Sequence, residues 1–247
     1  MALCYNTRMG LSEAFLKAAD YMLGTGQRGN IFPKVEPKPV RFDRALEIFD
    51  EIAAMGNIAF GFPDEGCFSR AHMMVRQMYA MDLTPKKAWG FEPDGGDLLV
   101  KLSNGKEITW WAHVAAALPV EMPDGKVVDL VFDPSMFDGP VTLQQWGKAM
   151  GAPAYNIEFA EAGRAPRGHH GDYTPWNRTS RKTDDDADKV MREYLPLQYV
   201  KETERFESPL RKQWEKLLQD EYLRTNDPAP AKPAADISAP VAKKDLG

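Results

Sequence analysis

Two short turn signals constrain the fold of this chain more than any other feature. The segments Ser103-Asn104-Gly105-Lys106 and Pro123-Asp124-Gly125-Lys126 contain Asn-Gly and Asp-Gly pairs, which are typical of tight turns between neighbouring antiparallel strands. Runs with strand-like patterns flank these turns, at 88–91, 98–102, 108–120 and 127–132. We therefore predict an antiparallel sheet in the middle of the chain.

The residues before this sheet follow a helical period. Apolar side chains recur at helical spacing over 42–55, with Asp43 as the predicted N-cap, and a second helix begins at Cys67 and ends before Thr84. Further along, Thr142 and Gln145 fit a capping box that begins a helix running to about Met150. Other helix candidates lie at 11–23, 185–200 and 202–224. The pattern predicts an α+β fold with extra helices at both ends.

These elements divide the chain into four parts. Residues 1–40 hold the first helix and a proline-rich linker, and 41–150 form the predicted core. Residues 151–226 are predicted to be an extension packed on the core, and they include a long surface loop at 163–188. Residues 227–247 are dominated by Pro, Ala and Lys and are predicted to be a disordered tail.

Composition excludes several classes of protein. The net charge of -5 and the pI near 5.5 differ from the basic balance of nucleic-acid binders. No apolar run approaches the length of a transmembrane helix, so we expect no membrane insertion. The two cysteines, Cys4 and Cys67, do not make a disulfide-rich secreted protein. No secretory signal is visible, so we expect a cytoplasmic protein or one exported without a cleaved signal peptide.

Three residues in chain order have the chemistry of a thiol acyl-transfer site. Cys67 lies at the start of a predicted helix, whose N-terminus favours a thiolate, and a neighbouring imidazolium would favour it further. His113 lies within a predicted strand, and Asp133 follows the next strand, where its carboxylate can orient the imidazole. Gly66 before the cysteine lets the backbone turn and a substrate approach. The backbone N–H of Cys67 is a natural oxyanion donor.

Each of these residues has a plain structural interpretation. A lone cysteine at a helix start is usually a small buried hydrophobe, and a lone histidine in a strand is usually structural. His72 points away from Cys67 on the same helix, so we assign it a structural role, with the backbone of the active-site loop as its expected partner. Arg70 could clamp that loop. His169 and His170 lack further ligands at metal-binding spacing, so we predict a loop there rather than a metal site.

Several short motifs resemble the bacterial protein-glutaminases over roughly residues 42–150. The match begins with Asp64-Glu65-Gly66-Cys67-Phe68-Ser69-Arg70-Ala71-His72-Met73-Met74 and continues with Trp110 and His113-Val114-Ala115. It ends with Asp133-Pro134-Ser135-Met136-Phe137, Gly139-Pro140-Val141-Thr142 and Trp146. The resemblance implies a catalytic core similar to the papain and transglutaminase fold. In that fold a helix bearing the cysteine packs on an antiparallel sheet bearing the histidine and aspartate.

The resemblance also implies an activity, which is the deamidation of glutamine side chains in proteins or peptides to glutamate with release of ammonia. According to the resemblance, Cys67 is the nucleophile, His113 is the general acid and base, and Asp133 is the orienting carboxylate. It implies a thioester intermediate and no metal or organic cofactor. Gly66, Trp110 and Trp111 are candidate substrate-binding residues, although sheet and core packing is the plainer role for the tryptophans.

The residues leave the reaction itself open. A transglutaminase or a cysteine peptidase on the same fold would use the same three side chains. The molecule that accepts the acyl group decides the outcome, since water gives deamidation or proteolysis and an amine gives transamidation. A bacterial effector or toxin that modifies a host or competitor protein also fits, as does a non-enzymatic module that has kept the fold. The terminal regions could cover the site or recruit a partner, and the oligomeric state is not predicted.

Overall fold

The computed structural model describes residues 38–93, 96–161 and 181–226. The chain divides into two units, Met1–Lys212 and Gln213–Gly247. The predicted helix at 11–23, the linker up to residue 37, His169, His170 and the tail at 227–247 lie outside the described residues. Within these residues, no helix combines the length and the apolar character that a membrane crossing requires.

The first unit is built on a six-stranded, mostly antiparallel sheet in the order β7-β6-β5-β2-β8, with β1 beside β5. The strands are β1 (Val40–Arg41), β2 (Lys86–Phe91), β5 (Ala112–Glu121), β6 (Val127–Phe132), β7 (Val141–Thr142) and β8 (Ile157–Glu161). A separate two-stranded sheet consists of β3 (Leu98–Lys101) and β4 (Glu107–Trp110). Strand β5 lies at the centre, and all its residues except Glu121 are buried.

The helices lie in chain order as α1 (Phe42–Ala53), α2 (Cys67–Ala80), α3 (Leu143–Ala149), α4 (Arg181–Tyr194) and α5 (Pro209–Asn226). Both α1 and α2 contact β5. Helix α3 has the predicted capping box, since Thr142 and Gln145 each bind the other's backbone N–H. The described part of the second unit, Gln213–Asn226, continues α5 and carries exposed Leu217, Leu218 and Tyr222.

Both predicted hairpins are confirmed, and their turns have the expected geometry. Leu102 N–H donates to the Lys106 carbonyl, and Met122 N–H donates to the Lys126 carbonyl, each over 2.8 Å. Gly105 and Gly125 have φ values of 83° and 80°, a conformation that favours glycine.

Four details of the prediction are wrong. The predicted strand 108–120 is two strands in different sheets, because β4 pairs Trp110 with Leu98 while β5 pairs Ala112 with Phe91. The N-cap of α1 is Arg41, and Asp43 lies in the first turn, where it accepts from the Arg44 N–H. Helix α4 begins at Arg181, within the predicted loop 163–188. The last helix begins at Pro209 rather than at 202.

Candidate active site

Cys67 is the first residue of helix α2. Gly66 before it is the N-cap and has φ 78°, a left-handed conformation that glycine adopts without steric cost. The first N–H groups of a helix have no intrahelical acceptor, so the Cys67 N–H points out of the helix start. The cysteine is free and 6% exposed. The local sequence therefore gives a sharp turn into a helix, with the thiol at its first position.

His113 is the second residue of strand β5, opposite Gly90 of β2. Its ring lies between two indoles, with centroids 4.3 Å from Trp110 at an interplanar angle of 12° and 5.5 Å from Trp146 at 29°. Only 1% of its side chain is exposed. This packing fixes the plane of the imidazole and leaves the ring little freedom to rotate.

Asp133 directly follows strand β6, and its buried carboxylate binds His113. The Nε2 of His113 donates to Oδ2 over 2.8 Å, and Trp146 Nε1 donates to the same oxygen over 2.8 Å. The other oxygen, Oδ1, accepts from the Ser135 hydroxyl over 2.5 Å and the Ser135 N–H over 3.2 Å. Four donors therefore satisfy this buried carboxylate, as a charge removed from water requires.

The charges of His113 and Asp133 stabilise each other. Burial lowers the pKa of His113, but attraction to Asp133, its hydrogen bond and the neighbouring Cys67 thiol together raise it to about 9. Burial raises the pKa of Asp133, but the His113 charge and the hydrogen bonds of His113, Ser135 and Trp146 lower it to about 2. At neutral pH the pair is thus an imidazolium and a carboxylate.

Because Asp133 binds Nε2, the ring nitrogen left for Cys67 is Nδ1. This nitrogen is buried and has no hydrogen bond of ordinary geometry within the described part of the chain. The Cys67 side chain interacts with the imidazole. The structure therefore pairs His113 with Asp133, and the Cys67 side chain adjoins the same imidazole.

The loop that leads into Cys67 is held by two side chains of the site. Arg70, 2% exposed, donates from Nη1 to the carbonyls of Phe62 over 2.8 Å and Glu65 over 2.5 Å. Trp110 donates its indole N–H to the carbonyls of Pro63 and Asp64 over 3.1 and 3.0 Å. Arg70 is therefore the predicted clamp, and Trp110 links the loop to the His113 ring.

The other candidate residues lie as follows. Trp111 is 50% exposed, and its ring centroid is 6.1 Å from that of Phe68, the residue after Cys67. Gly66 faces Tyr194 of helix α4 on the side where a Cβ would lie. The predicted partner of His72 was wrong, because its Nε2 binds Asp184 over 2.6 Å rather than the loop backbone. The roles of Gly66, Trp110 and Trp111 toward a substrate stay predictions.

Sequence reasoning did not assign roles to three residues that shape the site: Ser135, Trp146 and Tyr194. Ser135 had a local signal, because an aspartate often binds the backbone two residues on. Trp146 was among the residues that carry the family resemblance, but neither it nor Tyr194 had a local signal, because each reaches the site from a separate helix through tertiary packing.

Comparisons with known proteins concern the family and the fold of this chain. Residues 45–150 match the model of a family described as glutaminase. A mutant of pro-protein-glutaminase, solved by crystallography, is 18% identical with a TM-score of 0.53 over 70% of this chain and 64% of that chain. A crystal structure of protein-glutaminase is 17% identical with a TM-score of 0.51 over 67% of this chain and 93% of that chain.

The solution structure of protein-glutaminase from Chryseobacterium proteolyticum is 19% identical, with a TM-score of 0.51, over 65% of this chain and 90% of that chain. This chain spans 64% of the length of the pro-protein mutant, and at these identities the likeness shows a shared fold. No curated protein matches the chain significantly in sequence. The match to the glutaminase family model thus covers residues 45–150, and the solved structures show that this chain shares the fold of protein-glutaminase.

Proposed function

We propose that this protein is a cysteine-dependent amidohydrolase that deamidates glutamine side chains of proteins or peptides to glutamate and releases ammonia. One observation carries the proposal. Cys67, His113 and Asp133 adjoin one another in a buried site, within the segment that matches a glutaminase family. Protein-glutaminase is the name of the structural relatives, and the substrate class comes to this chain from that family.

In the first half of the proposed reaction, the Cys67 thiolate attacks the side-chain carbonyl carbon of a glutamine. The carbonyl oxygen becomes an oxyanion, and the Cys67 N–H at the helix start is placed to donate to it. His113 gives its Nδ1 proton to the amide nitrogen, the C–N bond breaks, and ammonia leaves. The products of this half are a thioester on Cys67 and a neutral imidazole.

In the second half, a water molecule attacks the thioester carbonyl. His113 takes a proton from this water at Nδ1, and the C–S bond breaks to release glutamate. The imidazolium and thiolate are then restored, so one water is consumed for each ammonia released. Throughout, Asp133 accepts from Nε2 and keeps Nδ1 directed at the reacting atoms.

The burial of Cys67 supports a side-chain amide as the substrate. With 6% of the residue exposed, a slender glutamine side chain reaches the sulfur more easily than the backbone of a peptide does. We also propose that the core has the papain and transglutaminase arrangement, since helix α2 with Cys67 packs on the sheet that carries His113. Among the candidate substrate-binding residues, Trp111 supplies exposed aromatic surface beside Phe68, and Gly66 and Trp110 shape the loop before Cys67.

The experiment is ammonia release from casein by the purified protein, with and without a primary amine, beside Cys67→Ala. We expect ammonia release that requires Cys67 and no incorporation of the amine. Ammonia release that is unaffected by Cys67→Ala would overturn the assignment of the nucleophile. Amine incorporation would instead identify a transglutaminase, and cleavage of casein without ammonia would identify a peptidase.

A further inference from the structure

Helix α4 lies outside the segment that matches the glutaminase family, yet it packs along helix α2. Buried His72 binds Asp184 over 2.6 Å, and Arg76 donates to Asp188 over 3.0 Å. Ala187, on the same helix, is fully buried. The two helices are therefore joined by both apolar and charged contacts along their length.

The end of α4 reaches the loop before Cys67. Met191, 1% exposed, accepts from the Ala59 N–H at its sulfur over 3.4 Å. The Tyr194 ring packs on Phe62 with centroids 4.9 Å apart. Just after the helix, Gln198 accepts from the Gly61 N–H over 2.8 Å. These contacts hold the loop from α4 and the residues after it, whereas Trp110 holds it from the end of strand β4.

Tyr194 packs against Gly66, the residue directly before the cysteine. A Cβ placed on Gly66 would lie 2.8 Å from its Cε2 atom and 2.9 Å from its Cδ2 atom, so the ring rests directly against the Gly66 backbone. Its hydroxyl donates to Glu65 over 2.6 Å, but this bond is exposed. Exposed polar contacts contribute little in water, so the packing of the ring is the larger effect.

We propose that Tyr194 is a positioning residue, whose ring holds the Gly66–Cys67 peptide in the orientation that the acyl transfer needs. The proposal rests on the function proposed above. Gly66 has φ 78°, and glycine has the freedom to leave that conformation unless its surroundings fix it. The peptide that Tyr194 covers carries the Cys67 N–H, so a shift there moves both the oxyanion donor and the sulfur.

The test compares Tyr194→Ala, Tyr194→Phe and Asp188→Ala with the unmodified protein. Misplacement by about 1 Å lowers a rate by roughly 100-fold, so we expect Tyr194→Ala to lower kcat by about 10- to 100-fold with KM within about twofold. Tyr194→Phe keeps the ring and is expected to keep kcat within about twofold. Asp188→Ala weakens the contact between helices α2 and α4 at a point away from the loop, and we expect it to leave kcat unchanged.

The rate of Cys67 alkylation by iodoacetamide is the second readout, taken below the unfolding temperature of each variant. We expect Tyr194→Ala to change this rate and Asp188→Ala to leave it unchanged. The proposal is overturned if Tyr194→Ala leaves kcat and alkylation unchanged, raises only KM, or lowers kcat no more than Asp188→Ala. If the unmodified protein releases no ammonia from glutamine, the proposed function fails, whereas the alkylation rates still test the positioning. If Tyr194→Ala does not fold, Tyr194→Leu replaces it with the same expectations.

Discussion

Trp146 donates its indole N–H to Oδ2 of Asp133 over 2.8 Å, the same oxygen that binds His113. Trp146 also packs its ring against the imidazole. One side chain of helix α3 therefore holds both members of the His113–Asp133 pair. Capping of α3 by Thr142 and Gln145 fixes where this helix begins, and so where the indole lies.

Trp146→Phe removes the indole donor and keeps an aromatic ring against His113. A charge-assisted hydrogen bond to a buried carboxylate is worth about 1.5–3 kcal/mol, so we expect a stability loss of this size and a fall in kcat of about 10-fold. Denaturant unfolding and steady-state ammonia release measure the two effects. Trp89→Phe is the matched control, a fully buried tryptophan that packs on Phe91. If Trp89→Phe lowered kcat as much, the role given to the Trp146 N–H would be wrong.

The raised pKa of His113 predicts the alkaline limit of activity. The imidazolium is needed to protonate the leaving amine, so kcat/KM should fall as the pH rises through about 9. Asp133 raises this pKa by its charge and its hydrogen bond. We therefore expect Asp133→Asn to lower the pH at which kcat/KM falls by about one pH unit or more, toward the ordinary imidazole pKa near 6.5. A pH profile of kcat/KM for both proteins measures the shift. An alkaline limb that stays in place would show that Asp133 does not control this proton.

Gly66 offers a test of how the loop is packed. An alanine at φ 78° is strained by about 1–2 kcal/mol, and its Cβ would also meet the Tyr194 ring at 2.8 Å. Gly105 has φ 83° with nothing within 4 Å of the same position, so Gly105→Ala carries the backbone strain alone. We expect Gly66→Ala to lower the free energy of unfolding by more than Gly105→Ala does. Equal losses in chemical denaturation would mean that the ring does not press on Gly66.

Trp111 is the exposed aromatic nearest in sequence to the site, at 50% exposure. If it contacts the substrate beside the glutamine, Trp111→Ala should raise KM for a protein substrate by about 10-fold, in line with the 1–2 kcal/mol of a lost aromatic contact. The value of kcat should change little. Leu99→Ala is the control, since Leu99 is a 45% exposed apolar residue of strand β3. A KM unchanged by Trp111→Ala would remove Trp111 from the substrate-binding residues.

Local signals in the sequence predicted much of the fold. The two glycine turns and the Thr142–Gln145 capping box depend on a few adjacent residues, and all three are present. The break between β4 and β5 was missed because no glycine, proline or other turn residue marks it in the stretch around Trp111. Its division follows from pairing with Leu98 on one side and Phe91 on the other. Pairing between strands that are distant in sequence does not change the spacing of the apolar residues, so that spacing cannot reveal it.

The same distinction holds at the site. Cys67, His113 and Asp133 could be selected as candidates because both their chemistry and their positions on the predicted helix and strands are those that a thiol acyl-transfer site needs. Tyr194 could not, since it lies 129 residues from Glu65 and its importance comes only from the ring that meets Gly66. The loop-holding role of Arg70 was open to prediction, because an arginine one turn into a helix can reach back to the carbonyls before it.

In the proposed reaction, water replaces the amide nitrogen of a glutamine side chain through a thioester on Cys67. Mass spectrometry of a peptide with one glutamine, treated in water labelled with a heavy oxygen isotope, tests this most directly. We expect glutamate at that position, carrying one heavy oxygen, with an intact peptide backbone and with no conversion by Cys67→Ala. An unmodified glutamine, a cleaved backbone, or conversion that persists in Cys67→Ala would contradict the proposed reaction.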